Sequence, residues 1–333
     1  MTTGISMAAR ATVAAGVAIL LVPGVVLARE VSVPDAQTTT TISASDGDVV
    51  KSESGVSAEV PSEIGGTISG HFQFEDGSAS ISVTRIDDRS AEVRTSSSRA
   101  AINTEPSTTE SPKTGKKKAP VRHGTSFGRA ISNLNHCTAN YYDYDPLGKW
   151  TSNYTFYVST NGKPGSLYGP AYGDEAVESV LNWHQVNNVC GIGDSMARVS
   201  SYGGLGGSLL PTLVNSNITA CVTTRDYTNT IGWRAGVSGA VAGTCNYAVG
   251  GSFQESDIAL NSNKNWVNYP SSCPAGYYYT EDAITHEMGH WLGLEDLYAG
   301  AAEAMTMYHT SPTCSMMNPT LAFGDANAIN ALY

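Results

Sequence analysis

His286-Glu287-Met288-Gly289-His290 sets two imidazoles four residues apart. On a helix this spacing puts both rings on one face, one turn apart, where two neutral nitrogens can bind a single Zn²⁺ at about 2.0–2.1 Å. Glu287 follows the first histidine directly, in position to reach a water beside the metal rather than the metal itself. Such a trio supports hydrolysis, with the metal as Lewis acid and the carboxylate as general base. Taken alone, the pattern can equally be an ordinary polar helix face. The next residues add weight to the metal reading. Gly293 can end the helix with a left-handed residue, and Asp296, six residues past His290, then offers a hard oxygen as third ligand.

Positioning these groups requires a helix and a surface to carry it. Thr280 is the expected N-cap, with Glu281 and Asp282 favouring the positive end of the helix dipole. Trp150 to Thr160, dense in aromatic and β-branched residues, predicts a strand. Asp174 is expected to cap a second helix whose inner face carries Val177, Val180, Leu181 and His184, with Trp183 anchoring it on a sheet. His184 on such a face is more often packed than a ligand. Short strands are expected at Ala197 to Tyr202, Ala220 to Thr224 and Ser256 to Asn261. Gly203-Gly204-Leu205-Gly206-Gly207 has neither order of a phosphate-cradling loop and is expected to be a mobile connection. This mixture predicts an α+β domain.

His286-Glu287-x-x-His290-x-x-Gly293-x-x-Asp296 resembles the extended zinc signature of the metzincin metallopeptidases. Most of that clan places His last. The Asp form, in Gly293-Leu294-Glu295-Asp296-Leu297-Tyr298, is similar to the secreted snapalysin-type enzymes. Cys314-Ser315-Met316-Met317-Asn318-Pro319 resembles the clan's Met-turn, with Met317 as its methionine. The strand near Trp150, the helix carrying Trp183, Asn229 to Trp233, Ser256 to Asn261 and a closing helix in Phe323 to Tyr333 capped by Asp325 look matrixin-like. The likeness covers residues 150–333, and only the zinc signature and Met-turn are specific.

The resemblance implies a metzincin-like α+β catalytic domain with a twisted mixed β-sheet, an active-site helix, a Met-turn and a C-terminal helix. It implies Zn²⁺ on His286, His290 and Asp296, with Glu287 as general base in peptide-bond hydrolysis. A protein or peptide substrate would lie extended along a sheet edge, for which Val237 to Tyr247 is the candidate. Structural Ca²⁺ is common in matrixin-like domains, but no calcium-loop signature stands out and no ligands are assigned. Glu295 and His309 compete with Asp296 as third ligand. A thermolysin-type site fits less well, because Glu303 lies only thirteen residues past His290. A peptidase-like binding module without turnover, and a zinc hydrolase of a non-peptide amide, are the rival functions. Matrixins hold their zymogens latent with a propeptide cysteine, yet none precedes Cys137 here. Any inhibition by the N-terminal segment must use another group, such as a carboxylate, or block the cleft.

The rest of the chain is unlike this domain. Arg10, the seventeen-residue apolar run Ala11 to Leu27 and Val26-Leu27-Ala28 read as a cleaved export signal over residues 1–28. That run, broken by Pro23-Gly24, is too short for a stable membrane anchor. Residues 29–120 are rich in Ser, Thr, Glu and Asp and hold no Cys, Trp or Tyr, as expected of a propeptide or low-complexity region. Alternation in Ile68, His71-Phe72-Gln73-Phe74 and Ile81-Ser82-Val83 predicts a hairpin turning at Glu75-Asp76-Gly77-Ser78. A lone hairpin is marginal, so it should lean on the domain that follows. Lys113 to Pro120 is the one dense basic run, either a solvated linker or a processing site.

All six cysteines lie in residues 121–333, without CxxC spacing, as in the disulfide framework of a secreted, extracellular protein. The same residues carry eight Lys and Arg against sixteen Asp and Glu. That balance excludes nucleic-acid binding through a basic surface, and a monomer is expected.

Overall fold

The computed structural model describes residues 29–33, 39–98, 137–138, 140–145, 148–167, 169–188, 190–194, 196, 198–268, 272–298, 302–310, 312–314 and 320–333. The expected export segment, the basic run, and Met316 and Met317 of the expected Met-turn lie outside them. The described chain is α+β, mostly sheet, with three helices. The N-terminal part gives β1 (Glu30–Val33), β2 (Thr40–Ser43), β3 (Val49–Ser52), β4 (Ser57–Glu59), β5 (Gly66–Phe74), β6 (Gly77–Arg85) and β7 (Ser90–Ser97). Then follow β8 (Tyr154–Ser159), α1 (Gly169–His184), β9 (Ser200–Gly206), β10 (Ala220–Cys221), β11 (Asn229–Arg234), β12 (Ala240–Val249) and β13 (Ser252–Asn261). The chain continues through β14 (Trp266–Val267), β15 (Tyr278–Tyr279), α2 (Thr280–Trp291) and α3 (Phe323–Leu332).

One nine-stranded mixed sheet, in the order β2-β7-β6-β5-β12-β13-β11-β8-β9, runs through both parts of the chain. The hairpin forms where alternation places it, with β5 and β6 antiparallel from Thr67↔Thr84 to Phe74↔Gly77. It leans on the later domain by strand pairing, since β5 is antiparallel to β12 from Ala240↔Phe74 to Val249↔Gly66. A second sheet, β1-β3-β4-β10, joins the two parts again.

Two apolar cores result. The larger holds Trp150, Trp183, Trp233, Trp266 and Trp291 and packs α1, α2 and α3 on the sheet. The smaller is shared: Val50, Ile68, Phe72, Ile81 and Val83 pack with Leu213, Val214, Ile218 and Tyr247. The disulfides are Cys137–Cys190, Cys221–Cys245 and Cys273–Cys314. Cys221–Cys245 joins β10 to β12 and passes over β5 at Gly70, where a Cβ would stand 2.3 Å from Cys221 Sγ.

Several expectations shift. α1 begins at Gly169, leaving Asp174 exposed within it rather than capping it, because Pro170 suits a first turn where its missing N–H is not needed. Its buried face runs through Tyr172, Ala176, Val180 and Trp183, while Val177, Leu181 and His184 are only half-buried. Trp183 anchors the helix on α2, not on a sheet, by donating its indole N–H to the Thr285 carbonyl at 2.7 Å. The glycine cluster is no loop. Gly203 to Gly206 belong to edge strand β9, and Gly203 lets the Tyr157 ring approach to where a Cβ would meet it at 2.3 Å.

No helix among the described residues is long and apolar enough to cross a membrane. The shared core and the β5–β12 ladder give a direct test. With a specific protease site inserted between residues 98 and 137 and then cut, the two pieces should co-elute in native gel filtration and separate in urea. None of the three disulfides crosses that gap, so co-elution reports non-covalent contact alone.

Candidate metal centre

α2 is buried almost throughout, between α1 on one side and β12 on the other. Tyr279 precedes it as N-cap; Thr280 is its first residue, and its hydroxyl instead donates to the Glu175 carboxylate. Gly289 allows the tightest contact, since a Cβ there would meet the Met307 sulfur and the Trp183 ring. β12 grips the helix through side chains on one face. Thr244 Oγ1 donates to Glu287 Oε2 at 2.6 Å, and Asn246 Nδ2 donates to the His290 carbonyl at 3.0 Å.

The helix ends as its glycine suggests. Gly293 has φ +100°, its N–H donates to His290 O at 3.0 Å, and Leu294 N–H reaches Gly289 O at 2.9 Å. These two bonds close a Schellman turn. The turn brings the Leu294 carbonyl back to within 2.8 Å of His290 Nδ1. His286 Nδ1 meets the Thr306 carbonyl, also at 2.8 Å. A carbonyl can only accept, so both rings carry hydrogen on Nδ1 and turn Nε2 to the other side. Asp325 steadies the second of these carbonyls. From the third residue of α3 it accepts the N–H groups of Thr306 at 2.7 Å and Ala322 at 3.0 Å, serving the helix start and the loop under His286 together.

The two Nε2 atoms lie 3.2 Å apart, and Asp296 Oδ1 is 3.4 Å from one and 3.5 Å from the other. A tetrahedral ion with bonds of about 2.0–2.1 Å has ligand atoms about 3.3 Å apart, so this triangle fits one face of such a site. Asp296 has no hydrogen-bond partner on either carboxylate oxygen, nor has Glu287 on Oε1, although both are buried. Buried polar atoms are rarely left so. Two imidazole nitrogens and one carboxylate oxygen suit Zn²⁺. Glu295 instead turns to His71, and His309 stacks on Tyr298, so neither competitor joins the triangle. His184 bonds Tyr154 Oη and the Arg198 carbonyl, a packed residue.

Burial pushes Glu287 up to about 7, against the opposing effects of His286 and the Thr244 hydrogen bond. Burial would lower His286, but Asp296 raises it to about 9. Burial and the neighbouring His71 charge lower His290 to about 4. Burial would raise Asp296, yet the two imidazoles hold it well below the usual carboxylate range. A metal at these donors would compete with protons for the same nitrogens.

His71 is the residue that spacing did not reveal. Its ring stacks on His290 with centroids 4.2 Å apart, between Asp145 Oδ2 at 3.6 Å and Glu295 Oε2 at 3.5 Å. Burial lowers it, but the Glu295 and Asp145 carboxylates raise it to about 9. In sequence it was one polar residue of an alternating strand. Its position on the helix-facing side of β5, paired with Thr244, is set by a ladder between distant segments.

Val237 to Tyr247 is not a free edge, because β12 is paired on both sides. Gly293→Ala should lower stability by about 1–2 kcal/mol or more in urea unfolding, with weaker zinc uptake, since the left-handed residue also aims the Leu294 carbonyl. A Cβ there would also press on the Gly148 carbonyl at 2.6 Å. In comparisons with known proteins, no family model and no curated protein matches this chain.

Proposed function

We propose that the chain is a secreted zinc-dependent endopeptidase of metzincin type, with His286, His290 and Asp296 as metal ligands and Glu287 as general base. The observation that carries this is the buried triangle of two Nε2 atoms and one carboxylate oxygen, with a half-satisfied Glu287 carboxylate on the same helix. The disulfides agree with an oxidising compartment.

Zn²⁺, when bound, supplies Lewis acidity that makes water acidic near neutral pH and polarises the scissile carbonyl. The protein does the rest. Main-chain carbonyls fix both imidazoles so that their Nε2 lone pairs converge. Thr244 holds one Glu287 oxygen, leaving Oε1 to accept the proton as water adds to the carbonyl carbon. The same carboxyl then returns that proton to the amine nitrogen as the C–N bond breaks. Its raised affinity for a proton, near 7, suits both transfers.

Glu287→Gln should retain zinc at one equivalent while casein hydrolysis falls by about 10²–10⁴-fold; full activity in that variant would remove Glu287 from the base role. A chelator should abolish wild-type hydrolysis and added zinc restore it. Thr244→Val has a signed consequence. The lost hydrogen bond stabilised the ionised carboxylate, so the Glu287 pKa rises and the acidic limb of the kcat/KM profile moves to higher pH. A limb that stays in place would separate Thr244 from the reacting carboxylate.

A further inference from the structure

His71 is buried, and neither of its ring nitrogens makes a hydrogen bond. Asp145 Oδ2 lies 3.6 Å from Nε2, and Glu295 Oε2 lies 3.5 Å from Nδ1. A charged imidazole bonded to carboxylates would hold them at about 2.7–2.9 Å. Donors that share one tetrahedral ion, with bonds of about 2.0–2.1 Å, stand about 3.3 Å apart, much nearer the spacing seen here. One donor atom from each of the three residues lies within 4.8 Å of the other two.

The backbone holds this group together. Asp145 N–H donates to Gly293 O at 2.9 Å and Glu295 N–H to Asp143 O at 3.1 Å, around an antiparallel bridge between Tyr144 and Leu294. That bridge sets the two carboxylates on neighbouring strands of chain. His71 is brought to them by the β5–β12 ladder, as register partner of Thr244. The His71 and Asp145 side chains are almost wholly buried, whereas Glu295 keeps 21% of its side-chain surface. Glu295 is therefore the donor with freedom to close on an ion held by the other two. A cavity of about 390 Å³ reaches His71 and Glu295 and has room for waters to complete a coordination shell.

The structure assigns a second metal site to His71, Asp145 and Glu295. One imidazole nitrogen with two carboxylate oxygens suits Zn²⁺, whereas Ca²⁺ takes oxygen donors alone. The site is distinct from the triangle of His286, His290 and Asp296. The His71 and His290 rings stack with centroids 4.2 Å apart and planes 9° apart. A metal bonds an imidazole in the plane of the ring, so two stacked rings do not share one ion. An ion here meets two carboxylate charges of its own, which limits its repulsion of a neighbouring ion. It would link the N-terminal part of the chain to the later domain, a connection that none of the three disulfides makes. The assignment does not draw on the peptidase reading.

The test strips the full chain of metal with a chelator and measures zinc bound at equilibrium dialysis, with excess calcium to occupy weak carboxylate sites. Wild type should bind two equivalents, and His71→Ala and His286→Ala one each, with folding checked by circular dichroism. Equal zinc content in wild type and folded His71→Ala overturns the second site. So does a single equivalent in wild type that His286→Ala abolishes, a result that leaves the peptidase ligands in place. Should His71→Ala fail to fold, Glu295→Gln at its partly exposed position decides instead. Affinity for the second equivalent should fall at least about tenfold in that variant, and unchanged affinity overturns the site. Zinc lowered by His71→Ala but untouched by His286→Ala supports this site and sinks the peptidase ligand set.

Discussion

The arrangement depends on two hydrogen bonds that never touch a substrate, from His286 Nδ1 to the Thr306 carbonyl and from His290 Nδ1 to the Leu294 carbonyl. Imidazole has two nitrogens of similar basicity, and a helix alone does not decide which faces a ligand. A carbonyl on one nitrogen decides it. Both carbonyls come from segments outside the helix, so the C-terminal third of the chain must fold around α2 before the donors converge. The Schellman turn at Gly293 supplies one carbonyl, and the loop pinned by Asp325 supplies the other. A donor set assembled this way is costly without an ion, because it buries a carboxylate and two imidazoles in an apolar core. The approach of Asp296 Oδ1 to both imidazoles, at 3.4 and 3.5 Å, offsets part of that cost.

The sheet divides the labour. On the helix-facing side of β12, Thr244 and Asn246 fix Glu287 and His290; on the other side, Cys245 and Tyr247 belong to the shared core. Strand alternation makes this possible, since neighbouring residues point to opposite faces. The same alternation governs β5. Ile68 and Phe72 enter the shared core, while Ser69, His71 and Gln73 face the site. A one-residue slip between β5 and β12 would put Phe72 over His290 and His71 in the apolar core. Burial of one face thus sets the placement of the other.

What could be read from sequence was whatever short-range geometry dictates. Helical spacing aligned His286 with His290, a glycine marked the end of α2, and alternation with an Asp-Gly turn marked the β5–β6 hairpin. Asp296 was legible because it follows a turn of fixed shape. His71, Asp145 and the Thr306 carbonyl were not, because they reach the site through contacts between distant segments that no local period encodes. The errors have the same origin. The glycine cluster reads locally as a loop, and only the Tyr157 ring packed on Gly203 explains why a strand there needs glycine. The inner face of α1 is rotated from the helix-stripe reading because α2 takes Trp183 while Tyr172 packs on Trp233 of β11. The segment Val237 to Tyr247 was sought as an edge, and its partner lay far upstream.

The crossing of Cys221–Cys245 over Gly70 bears on how the chain matures. Cys221 sits on β10, whose ladder partner is β4; Cys245 sits on β12, whose register partner at that point is Gly70. Two N-terminal strands therefore align the two thiols, and the closed bond spans a strand that lies outside its own 24-residue loop. The closed bond lays its sulfur on Gly70, where any side chain would collide with it. The N-terminal segment in this sense sets the spacing at which two thiols meet, although it contributes neither of them.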